Sequence, residues 1–313
     1  MSDNNLEVFE FLIDEEFNGK RVDGYLPKKI DDLSRGYIQT LIEEGNLTIN
    51  GKVVKSKKHK LGMGDSVKLT VPEAKVLEVI PENIPIDIVY EDEDVLIVNK
   101  GQGMVVHPAP GNYTGTLVNA IMFHTKDLSS MNGVIRPGIV HRIDKDTSGI
   151  LMIAKNNKSH NSLAEQLKDH SITRKYYALV MGNVKEDSGT IDRPIGRNPK
   201  DRLKMAVVEK NSKRAVTHYR VVERFHGYTL VECQLETGRT HQIRVHMKYL
   251  GHPLVGDPLY GNKNCKIKHK GQLLHAKVLG FIHPSTGEYV EFDSELPGYY
   301  QKILDNLRKA SLG

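Results

Sequence analysis

The sequence predicts a mixed α+β protein in which a largely antiparallel mixed sheet forms the larger part and a small α+β unit precedes it. Three observations carry that expectation. Short apolar runs of strand character outnumber stretches with helical spacing. Hairpin-like connections separate many of these runs, which does not suit a doubly wound parallel sheet. The chain has 313 residues, 39% of them hydrophobic, enough for about two domains with a sizeable core.

Taken in order, residues 1–17 read as an acidic tail, because the first 16 residues carry six acids and no base. Residues 18–80 read as a compact unit with its linker. Ser34 is placed to cap a helix whose Ile38, Leu41 and Ile42 fall at helical spacing, and Gly45 to close it. Residues 47–49, the Asn50-Gly51 turn and residues 52–54 make a hairpin. Gly62 to Asp65 turns into a further strand, Ser66–Val71, and Pro72, Pro81 and Pro85 mark the linker.

Residues 81–313 form the second unit. Strands are expected at 86–90 and 94–100 around the acidic turn of Glu91, Asp92 and Glu93. A helix over 116–124 follows an irregular loop that holds His107. Next come a strand at 150–154, a helix over 157–168, and strands at 176–181, 214–224 and 229–237. Thr240 is placed to cap a helix with Ile243, Met247 and Leu250 on one face and Gly251 at its end. A strand near 288–292 and a helix over 299–310 complete the chain.

Composition narrows the partners. Net charge is +5, so the chain beyond its first 16 residues carries +11. Residues 19–60 hold ten Lys or Arg against five acids, a local basic surplus of the kind that polyanion binders show. No apolar stretch approaches the length of a membrane span, and the start has no secretory character. The two cysteines, Cys233 and Cys265, have no metal-ligand spacing. A reduced, cytoplasmic protein without membrane contact is the expectation.

The chain is organised around His141-Arg142-Ile143-Asp144-Lys145-Asp146-Thr147-Ser148-Gly149, which runs straight into the apolar residues 150–154. A charged loop pinned to a buried strand is a common setting for chemistry. Arg142 and Asp144 lie two apart and project to one side in extended backbone. They offer a carboxylate with a cation beside it, or simply a local salt bridge. His241, His246 and His252 lack the spacing of a zinc motif, and no glycine-rich phosphate cradle follows a strand. No metal and no cofactor are expected.

Residues 18–75 resemble the S4-type RNA-binding domain through Arg21-Val22-Asp23, Leu26, Ser34-Arg35, Ile38, Glu44-Gly45, Ile49-Asn50-Gly51-Lys52 and Gly64-Asp65. The resemblance implies phosphate contacts, for which Arg35, Lys52, Lys55, Lys57 and Lys58 are the candidates. The larger unit resembles the RluA-type RNA pseudouridine synthases. Four stretches carry this: residues 98–108; the loop 141–149; Arg174-Lys175-Tyr176-Tyr177-Ala178; and Gly238-Arg239-Thr240-His241-Gln242-Ile243-Arg244-Val245-His246 with Gly256-Asp257-Pro258-Leu259-Tyr260-Gly261. The sequence departs from the family's usual residues at Asn99, Gln102 and Ile143.

The resemblance implies the pseudouridine synthase fold and isomerisation of uridine in RNA. The base leaves the ribose through nitrogen and returns through carbon, with Asp144 as the nucleophile toward either the ribose or the ring. It implies Arg239 as the cation paired with Asp144, with Arg244 the alternative. A helix-start role for Arg239, on a phosphate or a core carbonyl, also stays open. Tyr176 is implied as the stacking and proton-handling residue, and Tyr177 as packing. Arg142 is implied to enter the helix stack and hold the target base out, unless it merely pairs with Asp146. Arg197, Lys200, Arg202 and Lys204 lie in a stretch that forms an RNA-contacting loop in the family.

RNA is therefore the expected partner of a monomer. Ribosomal RNA is favoured by the loop at 105–111 and the S4-type unit, with transfer RNA as another possibility. A non-catalytic RNA-binding or ribosome-assembly factor is the rival reading.

Overall fold

The computed structural model describes residues 7–312 apart from 31–32, 34, 72–78, 109–111, 126–127, 129–137, 202 and 263. The chain divides into two units, Met1–Leu77 and Glu78–Gly313.

The first unit holds β1 (Glu7–Leu12), α1 (Val22–Lys29), α2 (Arg35–Glu44), β2 (Leu47–Ile49), β3 (Lys52–Val53) and β4 (Ser66–Val71). Its sheet runs β1-β4-β2-β3, and Val22, Leu26, Ile38, Leu41, Ile42, Val67 and Leu69 fill its own core. The expected acidic tail is here corrected. Part of it is β1, paired antiparallel with β4 from Glu7↔Val71 to Leu12↔Ser66. Phe9 and Phe11 turn toward the core while Val8, Glu10 and Leu12 face solvent, so a period of two was present beneath the acidic composition. Asn50 (φ 51°) and Gly51 (φ 75°) make the β2–β3 turn in left-handed backbone, which an Asn-Gly pair accepts. The cap expected at Ser34 and the linker residue Pro72 lie outside the described residues.

The second unit holds β5 (Asp87–Glu91), β6 (Val95–Lys100), α3 (Leu117–His124), β7 (Ser148–Ala154), α4 (Asn157–Lys168), β8 (Thr173–Met181), β9 (Ser188–Asp192), β10 (Ile195–Arg197), β11 (Met205–Val207), β12 (Ser212–Lys213), β13 (Val216–Phe225), β14 (Tyr228–Leu235), α5 (Gln242–Tyr249), β15 (Leu274–Ile282), β16 (Tyr289–Asp293) and α6 (Gly298–Leu312). The main sheet runs β5-β6-β7-β15-β8-β14-β13-β9, with β16 also on β15. Among the described residues only β7 and β15 pair in parallel; the other pairs are antiparallel. A separate small sheet runs β11-β10-β12.

The mixed, largely antiparallel α+β architecture is the one expected. The sequence reading missed β9, β15 and the small sheet. β15 is the consequential omission, because it joins β5-β6-β7 to β8-β14-β13-β9. Ser148 and Gly149 meet His275 and Ala276 across this seam. Gly149 has φ +114°, and a Cβ there would stand 2.2 Å from the Ala276 carbonyl oxygen. Only glycine permits that approach.

The sheet is covered on both faces. One face packs Leu151, Tyr176, Ala178, Val231 and Leu235 with Leu117 and Ile121 of α3 and Ile243 and Met247 of α5. The other meets α4 through Leu163 and α6 through Tyr300 and Leu304. Pleating sends Tyr176 to the first face and Tyr177 to the second.

Candidate active site

The loop before β7 opens onto a cleft of about 550 Å³, lined by Arg142, Asp144, Arg174, Tyr176, Arg239, His241, Ile243 and Arg244. The loop is fastened from below. Lys100 at the end of β6, 2% exposed, donates to the carbonyls of Gly101 (2.8 Å), Met104 (2.9 Å) and Lys145 (3.0 Å). Burial pulls the Lys100 pKa down to about 7, against the attraction of Asp146 and Asp144. Three carbonyl acceptors match the three donors of an ammonium. From β15 and the residues just before it, Gln272 donates to Thr147 Oγ1 at 3.0 Å, and His275 Nδ1 is bonded to Ser148 Oγ at 2.9 Å. These bonds fall immediately after Asp144, so the sheet sets the position of its carboxylate.

Arg244, in the first turn of α5, is the cation paired with Asp144: Nη1 donates to Oδ2 at 2.8 Å. The same guanidinium grips Asp257 through Nε (2.7 Å) and Nη2 (2.9 Å). Asp257 in turn accepts the backbone N–H groups of Leu259 and Tyr260 at 2.9 and 3.0 Å. Burial works against the Arg244 charge, but the bonds and charges of Asp257 and Asp144 hold it firmly protonated. This bidentate grip fixes the plane of the guanidinium, which a lysine cannot do.

The pairing of Asp144 with Arg239 is corrected. Arg239 Nε donates instead to the backbone carbonyl of the exposed Arg214 at 2.9 Å. The cause is local. Its backbone N–H donates to Gln242 Oε1 at 2.9 Å, and the helix begins after His241, whose φ is +57°. The helix cap is thus His241 rather than Thr240. Arg239 stays on the cleft rim, while Arg244 is carried inward.

His241 Nε2 lies 4.0 Å from Asp144 Oδ1, and its Nδ1 is bonded to the Tyr260 hydroxyl at 2.8 Å. Tyr176 forms part of the cleft wall. Burial raises its pKa; Arg174 opposes the rise and Asp144 adds to it, so the phenol holds its proton at neutral pH. Arg142 is exposed, with Nη1 3.4 Å from His107 Nε2. No pair with Asp146 occurs among the described residues, so the salt-bridge alternative for Arg142 is set aside.

Among the described basic candidates of the second unit, Arg197, Lys200 and Lys204 do not line this cleft. In the first unit Lys52, Lys55 and Lys58 are exposed. Lys57 pairs with Glu43 at 2.6 Å, and Arg35 stands 3.4 Å from the buried Asp23 carboxylate. In the second unit Arg197 and Lys200 are exposed, Lys204 pairs with Asp201 at 3.1 Å, and Arg202 lies outside the described residues. Among the described residues no group of acidic, His or Cys side chains is arranged to hold a metal ion.

The family model for RNA pseudouridylate synthase matches residues 94–249, and that for the S4 domain matches residues 32–67. The RNA pseudouridine synthase YlyB of Bacillus subtilis is 57% identical over 304 residues, covering 97% of this chain and 99% of its own. The chain belongs to the RNA pseudouridine synthase family. Ribosomal large subunit pseudouridine synthase D of Zymomonas mobilis is 47% identical over 309 residues, covering 95% of this chain and 97% of its own. Among solved structures, human RNA pseudouridylate synthase domain containing 1 superposes with a TM-score of 0.58 at 26% identity, covering 76% of this chain and 97% of that one.

As a member of that family the chain is an RNA-modifying isomerase, and the non-catalytic reading is not favoured. Sequence reasoning placed Asp144, Tyr176 and Arg244 among its candidates. It assigned no role to Lys100, Asp257, Tyr260 or Arg174. The signal for Asp257 was present, since it stands in the Gly256–Gly261 motif, but nothing in its spacing ties it to Arg244.

Proposed function

We propose that this chain isomerises specific uridines of large-subunit ribosomal RNA, with Asp144 as the nucleophile. The observation that carries the reading is the Asp144–Arg244 pair beside Tyr176 in one cleft, in a member of a uridine-isomerising family. The choice of RNA is supported by the relatives named ribosomal large subunit pseudouridine synthase D, from Zymomonas mobilis and Neisseria meningitidis, which match over 94% or more of this chain.

In this reading Arg142 enters the RNA stack and takes the place of the extruded base. Unstacking costs a few kcal/mol, and a guanidinium plane recovers part of it. Tyr176 stacks on the uracil and handles the proton released when the base re-attaches through carbon. Asp144 attacks either the ribose or the ring, and Arg244 keeps a cation on the carboxylate edge away from the reacting atom. The exposed bases of the first unit and the Arg197–Lys200 stretch hold the RNA backbone. The enzyme works as a cytoplasmic monomer.

The test is a map of pseudouridines in cells lacking the protein, after re-supply of wild type or Asp144→Asn. Loss of specific large-subunit sites, restored by wild type and not by the variant, is the expected result. If the missing sites lie in transfer RNA, the choice of RNA is wrong. If none is missing, the enzymatic reading fails.

A further inference from the structure

Among the described residues, Arg174 is a buried cation that no anion balances. It stands on β8 two residues before Tyr176, on the same sheet face, and is 7% exposed. Its Nη2 donates to the Glu236 carbonyl at 3.1 Å, while its buried Nε has no hydrogen-bond partner. No carboxylate lies within 4 Å of it among the described residues, although Arg244 across the same cleft has two. Gly238 leaves room for it: a Cβ there would stand 2.8 Å from Nη1. A guanidinium keeps its proton in proteins, so this one is buried charged. Such a group costs stability unless something else compensates it.

The cleft also sorts its cations by depth. Arg142 and Lys168 are exposed and Arg239 is on the rim, where a sugar-phosphate backbone can reach them. Arg174 and Tyr176, each 7% exposed, line the same cleft as Asp144.

The geometry points to Arg174 as a catalytic residue that donates to a uracil carbonyl oxygen and stabilises the negative charge that develops on the ring. This rests on the isomerase reading and not on which RNA is modified. When the bond from C1′ to N1 breaks, its electron pair passes to the uracil and spreads over N1 and the carbonyl oxygens. On the ribose route Asp144 bonds to C1′ as N1 leaves, and is displaced when that pair forms the bond from C5 to C1′. The proton lost from C5 is matched by one gained at N1, so the product is an isomer. If Asp144 attacks the ring instead, the electrons of the double bond move to O4. On either route a carbonyl oxygen becomes anionic, and a preorganised donor in a water-poor site lowers the barrier.

The experiment compares wild type with Arg174→Met, Arg174→Lys and Gly238→Ala on total RNA from cells lacking the protein, so it does not depend on the ribosomal assignment. Single-turnover rate at saturating RNA, RNA affinity and thermal unfolding are measured together. Expected for Arg174→Met is a rate loss of about 100-fold or more, as for loss of one donor to a developing oxyanion, with affinity within about threefold and a melting temperature no lower than wild type. Arg174→Lys, which keeps the charge without the fork, falls between, and Gly238→Ala loses rate by displacing the guanidinium. Weakened affinity with an unchanged rate would make Arg174 a phosphate contact and overturn the proposal. So would a lowered melting temperature with an unchanged rate at saturation, which marks a structural residue.

Discussion

Arg244 lies between two carboxylates, gripping Asp257 with Nε and Nη2 and reaching Asp144 with Nη1 at 2.8 Å. The position of Asp144 therefore depends on Asp257, whose side chain is fully buried and does not line the cleft. Asp257→Asn removes the charge that holds Arg244 in plane. It is expected to lower stability by about 3 kcal/mol, the scale for breaking a buried pair, and to slow single-turnover catalysis. Urea unfolding and rate measurements on the same preparation check this.

The two arginines near the start of α5 are expected to separate cleanly. Arg244→Lys cannot bridge Asp257 and Asp144 with one point charge and should lose about 100-fold or more in rate. Arg239→Lys, held on the rim by the Arg214 carbonyl, should stay within about tenfold at saturating RNA. A larger rate loss in Arg239→Lys than in Arg244→Lys would reverse the assignment.

The RNA grip of the first unit is measurable through salt. Replacing the exposed Lys52, Lys55 and Lys58 with glutamine should flatten the dependence of log K on log salt, by up to about 0.7 to 0.9 for each phosphate no longer neutralised. The single-turnover rate at saturating RNA should not change. Filter binding across a salt series tests the first expectation.

Acid should weaken the catalytic unit through His275. It is fully buried between Ser148 and Ser294, and burial pushes its pKa down to about 4, with the Ser294 bond in opposition. The unfolded chain takes up that proton near pH 6.5. Between about pH 6.5 and 4 the unfolded state binds more protons, so stability falls as the pH falls. His275→Gln should show a shallower loss across that window, compared by urea unfolding at pH 7 and pH 5.

Gly149→Ala is expected to abolish a stable catalytic unit. The added methyl would collide with the Ala276 carbonyl at 2.2 Å in backbone at φ +114°. Soluble yield and circular dichroism report it. An Ala variant with wild-type melting would contradict the described register of β7 and β15.

Much of the fold was legible because the burial pattern and the local pattern agree. The uninterrupted apolar run of β7 is wholly buried, and the Asn50-Gly51 hairpin follows from its turn residues. β15 hid for a physical reason. His275, Lys277 and Gly280 interrupt its apolar run, and His275 is interior only because two serines from distant segments satisfy its ring. β1 hid behind its acids. In the site, the loop announced itself by charge and position, but the partner of Asp144 did not. Arg239 and Arg244 are the same residue type in one motif, and what separates them is the left-handed backbone at His241 and a carboxylate 13 residues beyond Arg244.

The seam at β15 also sets a schedule. Asp144 belongs to the half built from β5, β6 and β7, whereas Tyr176 and Arg244 belong to the other half and its helix. During synthesis both halves emerge before residues 274–282, and among the described residues no strand pairing joins them until that segment is free to insert. A ribosome-bound chain halted before that point carries every residue proposed for the chemistry but lacks the strand that pairs with both halves. Catalytic competence is thus expected late in translation, once β15 joins strands that were made before it.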